Sequence, residues 1–125
     1  MKSKLTTFVA LVTCTGLGLA GVASAGDPPY PTDVTIREQN GDFHGKVKSP
    51  EGGQQCIEDR KVTVFKKKDG PDKRINSDTT DTGGNWDTGN THVGKGKYYA
   101  KAKAVLLKTD EVLCEKGKSE TVTID

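Results

Sequence analysis

The chain is poor in the side chains that usually carry chemistry. It has 125 residues, two histidines, one methionine, one tryptophan and three cysteines. Aromatic residues make up 6% and hydrophobic residues only 32%. After residue 25 there is no long apolar run, which excludes a helical membrane protein. There is no surplus of one charge either. Nineteen Lys and Arg stand against seventeen Asp and Glu, and Lys2 and Lys4 alone account for the excess. A strongly basic nucleic-acid binder is therefore excluded, and no nucleic-acid partner is expected. The length leaves room for one domain rather than a multi-domain enzyme.

What is present begins with a targeting pattern. Met1-Lys2-Ser3-Lys4 is a short positive stretch, and Leu5 to Val22 is loosely apolar. Ala23-Ser24-Ala25 offers small residues at the positions a signal peptidase reads. Residues 1–25 thus read as a signal peptide cleaved before Gly26. Two other readings use the same residues. One is a membrane anchor, which Thr13, Thr15, Gly16 and Gly18 interrupt. The other is a lipoprotein box with Cys14 acylated, against which stands the β-branched Thr13 beside the cysteine. The expected destination is outside the cell, in the medium, periplasm or wall. No stable membrane insertion is expected after cleavage.

Export gives the remaining cysteines a meaning. Cys56 and Cys114 allow one intramolecular pairing, and a disulfide persists outside the cytosol. The alternatives are free thiols or a bridge between molecules. No Cys-x-x-Cys is present to suggest a redox or zinc motif.

Residues 26–32 form a Pro-rich segment that lacks a core pattern, so an extended, mobile tail is expected. From residue 33 to 125 the sequence alternates with period two. Val34 and Ile36 share one face, and Phe43, Gly45 and Val47 another. Asn40-Gly41 between them is a hairpin signal. Val62 and Val64, Ile75, Trp86, Lys97 to Val105, Val112 to Cys114 and Thr121 to Ile124 mark further strands. Tyr98, Ala100, Ala102 and Ala104 fall on one face of the longest of these. Lys103 to Leu113 also allows a short helix. No segment carries a sustained apolar stripe at helical spacing. Seven or eight short strands with regular turns predict an all-β, Ig-like or prealbumin-like β-sandwich.

The order of motifs resembles the carboxypeptidase regulatory-like domain, a small sandwich of the transthyretin type. The resemblance rests on Gly45-Lys46-Val47, on Val62-Thr63-Val64-Phe65, on Asp81-Thr82-Gly83-Gly84-Asn85-Trp86 and on Gly96-Lys97-Tyr98. In the third motif Asp81 is suited to accept backbone amides, with Gly83 and Gly84 at positive φ. Trp86 and Tyr98 are the large anchors of the core. The resemblance implies a module that positions, stiffens or attaches, with no catalysis and no cofactor.

The residues agree with that. Ser49, Ser77 and Ser119 lie in no Gly-x-Ser-x-Gly elbow, and His44 and His92 have no evident partner. No enzyme activity is expected. Asp78, Asp81, Asn85 and Asp87 are oxygen-bearing, but their spacing is not that of a calcium loop. Turn chemistry is the plainer reading, and no metal is expected. The remaining candidate is a binding face. Lys97, Tyr99, Lys101 and Lys103 alternate against the alanines and form a stripe suited to an anionic polymer or lipid head groups. Cell-wall polysaccharide or another extracellular protein is the expected partner. The plainer reading is an outer face kept soluble by lysines.

Overall fold

The computed structural model describes residues 27–107 and 111–125. The signal peptide expected at 1–25 lies outside the described residues, as does Cys14. The fold is all-β, with eleven short antiparallel strands among the described residues.

The alternating segments become strands where sequence patterning requires it. β1 (Asp33–Val34) and β2 (Arg37–Gln39) lie end to end along one edge of β3 (Asp42–Lys48). Asn40 and Gly41, at φ 54° and 86°, make the two-residue turn between β2 and β3. β6 (Asn85–Asn90) covers the other edge of β3. This is the smaller sheet.

The larger sheet is built on β7 (Gly96–Ala102). β4 (Lys61–Lys66) pairs with one edge of β7, and β5 (Lys73–Thr79) pairs with β4. The other edge of β7 is covered by β10 (Gly117–Lys118) and β11 (Val122–Ile124), again end to end. β8 (Val105–Leu106) and β9 (Val112–Cys114) form a separate two-stranded ribbon. The segment Lys103–Leu113, which allowed a helix, thus contributes strands. The count exceeds seven or eight because three elements are only two residues long and two edges are each shared by a pair of short strands.

The core lies between the two sheets. Val34, Phe43, Val47 and Trp86 come from the smaller sheet, and Val62, Val64, Tyr98, Ala100 and Ala102 from the larger. Ile36 joins them from the link between β1 and β2. Phe43 and Tyr98 meet at 5.0 Å between ring centroids. Small alanines on β7 let the sheets approach. Gly45 allows a close approach within the smaller sheet: a Cβ there would sit 2.0 Å from the carbonyl oxygen of Thr35, between β1 and β2, so no larger residue fits without a backbone shift.

The turn before β6 forms through Asp81. Its Oδ1 accepts from the amides of Gly83 and Asn85, each at 2.9 Å. Those bonds hold the Asp81 carboxyl below its ordinary pKa, the Asn85 amide most of all. Gly84 alone takes the positive φ, at 82°; Gly83 does not, correcting the expectation that both would.

The disulfide is present and joins Cys56 to Cys114, both fully buried. Beside it sits Arg60, only 1% exposed. The Pro-rich segment is not free along its length. Tyr30 donates to the Leu113 carbonyl at 2.8 Å and accepts from the Glu115 amide at 2.9 Å, a parallel bridge to the end of β9. No helix among the described residues is long and apolar enough to cross a membrane.

Candidate functional site

Pairing on the larger sheet decides which side chains share its outer face. With Val62 and Val64 turned inward, β4 presents Lys61, Thr63 and Phe65 outward. The register sets Thr63 opposite Lys101 and Phe65 opposite Tyr99 on β7. On the other side Phe65 lies opposite Arg74 of β5. Lys118 of β10 lies opposite Lys101.

One half of this face is an aromatic pair under a cover of lysines. Phe65 and Tyr99 stack at 5.6 Å with 20° between their planes. Lys118 lies 4.6 Å over Tyr99, Lys67 lies 6.0 Å over the same ring, and Lys101 lies 5.4 Å over Phe65. Such cation–π contacts place the ammonium groups over electron-rich faces. The Tyr99 hydroxyl donates to Asp72 Oδ2, and the Lys68 amide donates to Oδ1 at 3.0 Å. Tyr99 is pushed up to about 12 by that bond first, then by burial. Asp72 is correspondingly held below its ordinary value, chiefly by the tyrosine.

This changes the candidate stripe. Tyr99 is only 5% exposed, so its ring offers no free stacking surface. It supports the face from below. The cause lies in Asp72 and Lys118, which come from the 67–72 loop and from β10 and are remote from Tyr99 in sequence. Lys97, Lys101 and Lys103 are exposed as alternation requires, but Lys97 stands apart, its carbonyl accepting from the Lys67 amide.

The other half of the face is a depression of about 420 Å³. Lys101 and Lys103 line it together with Lys61, Arg74 and Lys116. Phe65, Thr63 and Ala104 contribute its neutral surface. Among the described residues no carboxylate lines it. Five cations around an apolar patch make a local positive field in a chain whose charges balance after residue 25. Lys61, Arg74 and Lys116 belong to this group and escaped the sequence reading. They come from three different segments, and only strand pairing brings them together. The signal that was present is the placement of Lys61 two residues before Thr63 and four before Phe65, on one strand face.

The other candidates are absorbed by the fold. Asp78 Oδ2 accepts from the Asp87 amide and Asp87 Oδ1 from the Gly89 amide. With Asp81 capping its turn, these carboxylates organise backbone. Among the described residues no group of three or more His, Cys, Asp or Glu is placed to hold a metal. Ser49 is buried and donates to the Pro31 carbonyl. Ser119 accepts from the Ala100 amide and donates to the Glu120 carbonyl, locking β10 to β7. His44 lies on β3 opposite Asp87, and His92 is exposed in the loop after β6.

Comparison with known proteins returns no match among curated proteins and none among solved structures. A family match covers residues 21–111, which takes in β1 to β8 and every cation of the depression except Lys116. The chain belongs to the family described as a domain of unknown function (DUF3821).

Proposed function

We propose that this protein is an extracellular, non-enzymatic β-sandwich module that binds anionic groups of the cell envelope through the basic depression. The observation that carries the reading is the lining itself. Lys61, Arg74, Lys101, Lys103 and Lys116 converge there, with no carboxylate lining the depression among the described residues. Mere solubility does not require that. A solubilising surface mixes both signs, and this chain has acids enough to do so.

Export belongs to the same reading. The signal-like residues 1–25 favour it, and the buried Cys56–Cys114 bond suits an oxidising compartment. The resemblance to the carboxypeptidase regulatory-like domain supports a role in attachment. Ser49 and Ser119, bound into backbone contacts, favour a binding role over a hydrolytic one.

The test is retention of the exported protein on purified cell wall and on an acidic polysaccharide. Retention at low salt, weakened by added salt, is expected. Joint Lys101→Glu and Lys103→Glu substitution is expected to lower it by about tenfold or more, because two attractions become repulsions. Absence of retention at low salt, or retention indifferent to the charge reversal, overturns the proposal.

A further inference from the structure

The chain leaves the depression at Ala104 and returns to it at Lys116. Between these points runs the β8–β9 ribbon. It carries the large hydrophobic residues most exposed among the described residues: Leu106 at 53%, Leu107 at 39% and Val112 at 38%. Leu106 and Val112 are direct partners across the ribbon, so two of the three aliphatic groups are neighbours. The ribbon's inner end is fixed. Val105 pairs with Cys114, which the disulfide holds to Cys56. An aliphatic lip, held at its inner end, therefore borders a cationic depression.

We infer that this combined surface docks peripherally on an anionic lipid bilayer, with Leu106, Leu107 and Val112 entering the interface and the cations meeting lipid phosphates. The inference rests on the reading of the basic depression given above and names its ligand class. Charge complementarity selects the occupant. A second copy of the chain, docked face to face, would oppose five cations to five cations. A soluble polyanion would satisfy the cations and leave the aliphatic lip in water. A bilayer with anionic head groups uses both parts, since interfacial binding adds apolar burial to electrostatic attraction. The ribbon also carries Glu111, and Glu115 follows it. The attraction therefore comes from the depression and the apolar contact from the lip.

The test uses the exported protein, its amino terminus confirmed by mass, in co-sedimentation with phosphatidylglycerol vesicles and with phosphatidylcholine vesicles. Soluble polygalacturonate serves as the lipid-free polyanion. Binding to the phosphatidylglycerol vesicles and not to the phosphatidylcholine vesicles is expected. The double substitution Leu106→Ser and Leu107→Ser should weaken vesicle binding about tenfold or more and leave polygalacturonate retention unchanged. Both side chains are already exposed, so the thermal transition should hold its place. A second variant, Leu106→Trp, should bind vesicles at least as well and show a blue-shifted emission when it does. Vesicle binding unchanged by the serine substitutions overturns the lipid inference and leaves the basic site standing. So does wild-type retention on polygalacturonate alone, or self-association that the serine variant abolishes. Vesicle and polygalacturonate binding both indifferent to Lys101→Glu with Lys103→Glu overturns the basic site, and the inference with it.

Discussion

Arg60 donates a 2.6 Å hydrogen bond to the carbonyl of Cys56, the residue whose sulfur is bonded to Cys114. The same guanidinium donates to the Thr32 hydroxyl, twice to the Lys103 carbonyl and once to the Glu115 carbonyl. All five of its N–H donors are thus used, and every acceptor is an uncharged oxygen. A buried charge is tolerated when its hydrogen bonds are complete. Burial still holds the guanidinium below its ordinary pKa. Four segments, at Thr32, Cys56, Lys103 and Glu115, meet on one side chain.

Replacing Arg60 with Met should therefore cost more than a surface charge would. Three carbonyls lose their donors in a buried site, and unsatisfied buried groups cost about 1–3 kcal/mol each. Urea unfolding of Arg60→Met should show a loss of about 3–5 kcal/mol. Arg60→Lys should recover little, because one ammonium cannot span the same acceptors. A lysine variant as stable as the parent would contradict the five-bond arrangement.

Reduction of the disulfide should be felt nearly as strongly. The bond joins residues 58 apart in sequence. The chain-entropy model gives roughly 4 kcal/mol for a loop of that size. Calorimetry with and without reductant should show a large fall in Tm. An unchanged transition would mean that the bond contributes nothing to the folded state.

The Tyr99–Asp72 bond has a spectroscopic signature. Of three tyrosines, Tyr99 should ionise near pH 12, above the ordinary value of about 10. Ultraviolet difference titration resolves this, and Asp72→Asn should bring the late phase down. The stability contribution of a raised tyrosine pKa is fully present below the unfolded value. It is lost as pH rises from about 10 through 12. For Asp72, whose pKa is lowered, the contribution is present above the ordinary aspartate value of about 3.9 and lost as pH falls below it. Tyr99→Phe should abolish the alkaline loss and reduce the acid one. Ordinary titration of all three tyrosines would contradict the bond.

Asp42 offers a substitution expected to stabilise. Its Oδ1 is buried without a partner, and its carboxyl lies against that of Asp87. A proton shared with Asp87 raises the Asp42 pKa most, with burial and repulsion adding to it and His44 opposing. That contribution is present at low pH and fades as pH rises through the raised value. An asparagine donates to Asp87 without needing the proton. Asp42→Asn should therefore raise Tm at neutral pH, with the gain shrinking on acidification. A lower Tm at neutral pH would count against this reading of the pair.

Much of the sandwich was legible because a strand with one buried face repeats every second residue. Val62 and Val64, Phe43 and Val47, and Tyr98, Ala100 and Ala102 are all core residues. The Asp81 turn was legible for a local reason: donor and acceptor lie within four residues. Arg60 was not, because its acceptors come from residues 32 to 115 and nothing nearby marks it as buried. The burial of Tyr99 failed to show for the same reason. Its period-two position is correct for an outer face, and distant residues then cover that face. The basic depression was half legible: Lys101 and Lys103 lie two residues apart at the end of β7, while Arg74 and Lys116 arrive from other segments.

The bridge at Tyr30 has a mechanical meaning. A pull from the amino-terminal side reaches two hydrogen bonds there before it reaches β1. Those bonds end on residues flanking Cys114, which is covalently tied to Cys56. Load would detach Tyr30 first, then the contacts of Pro31 with Ser49 and of Thr32 with Arg60, and then the two-residue ladder of β1, while the cross-linked centre stays whole. A domain tethered from that side would lengthen in small steps under tension before it unfolded.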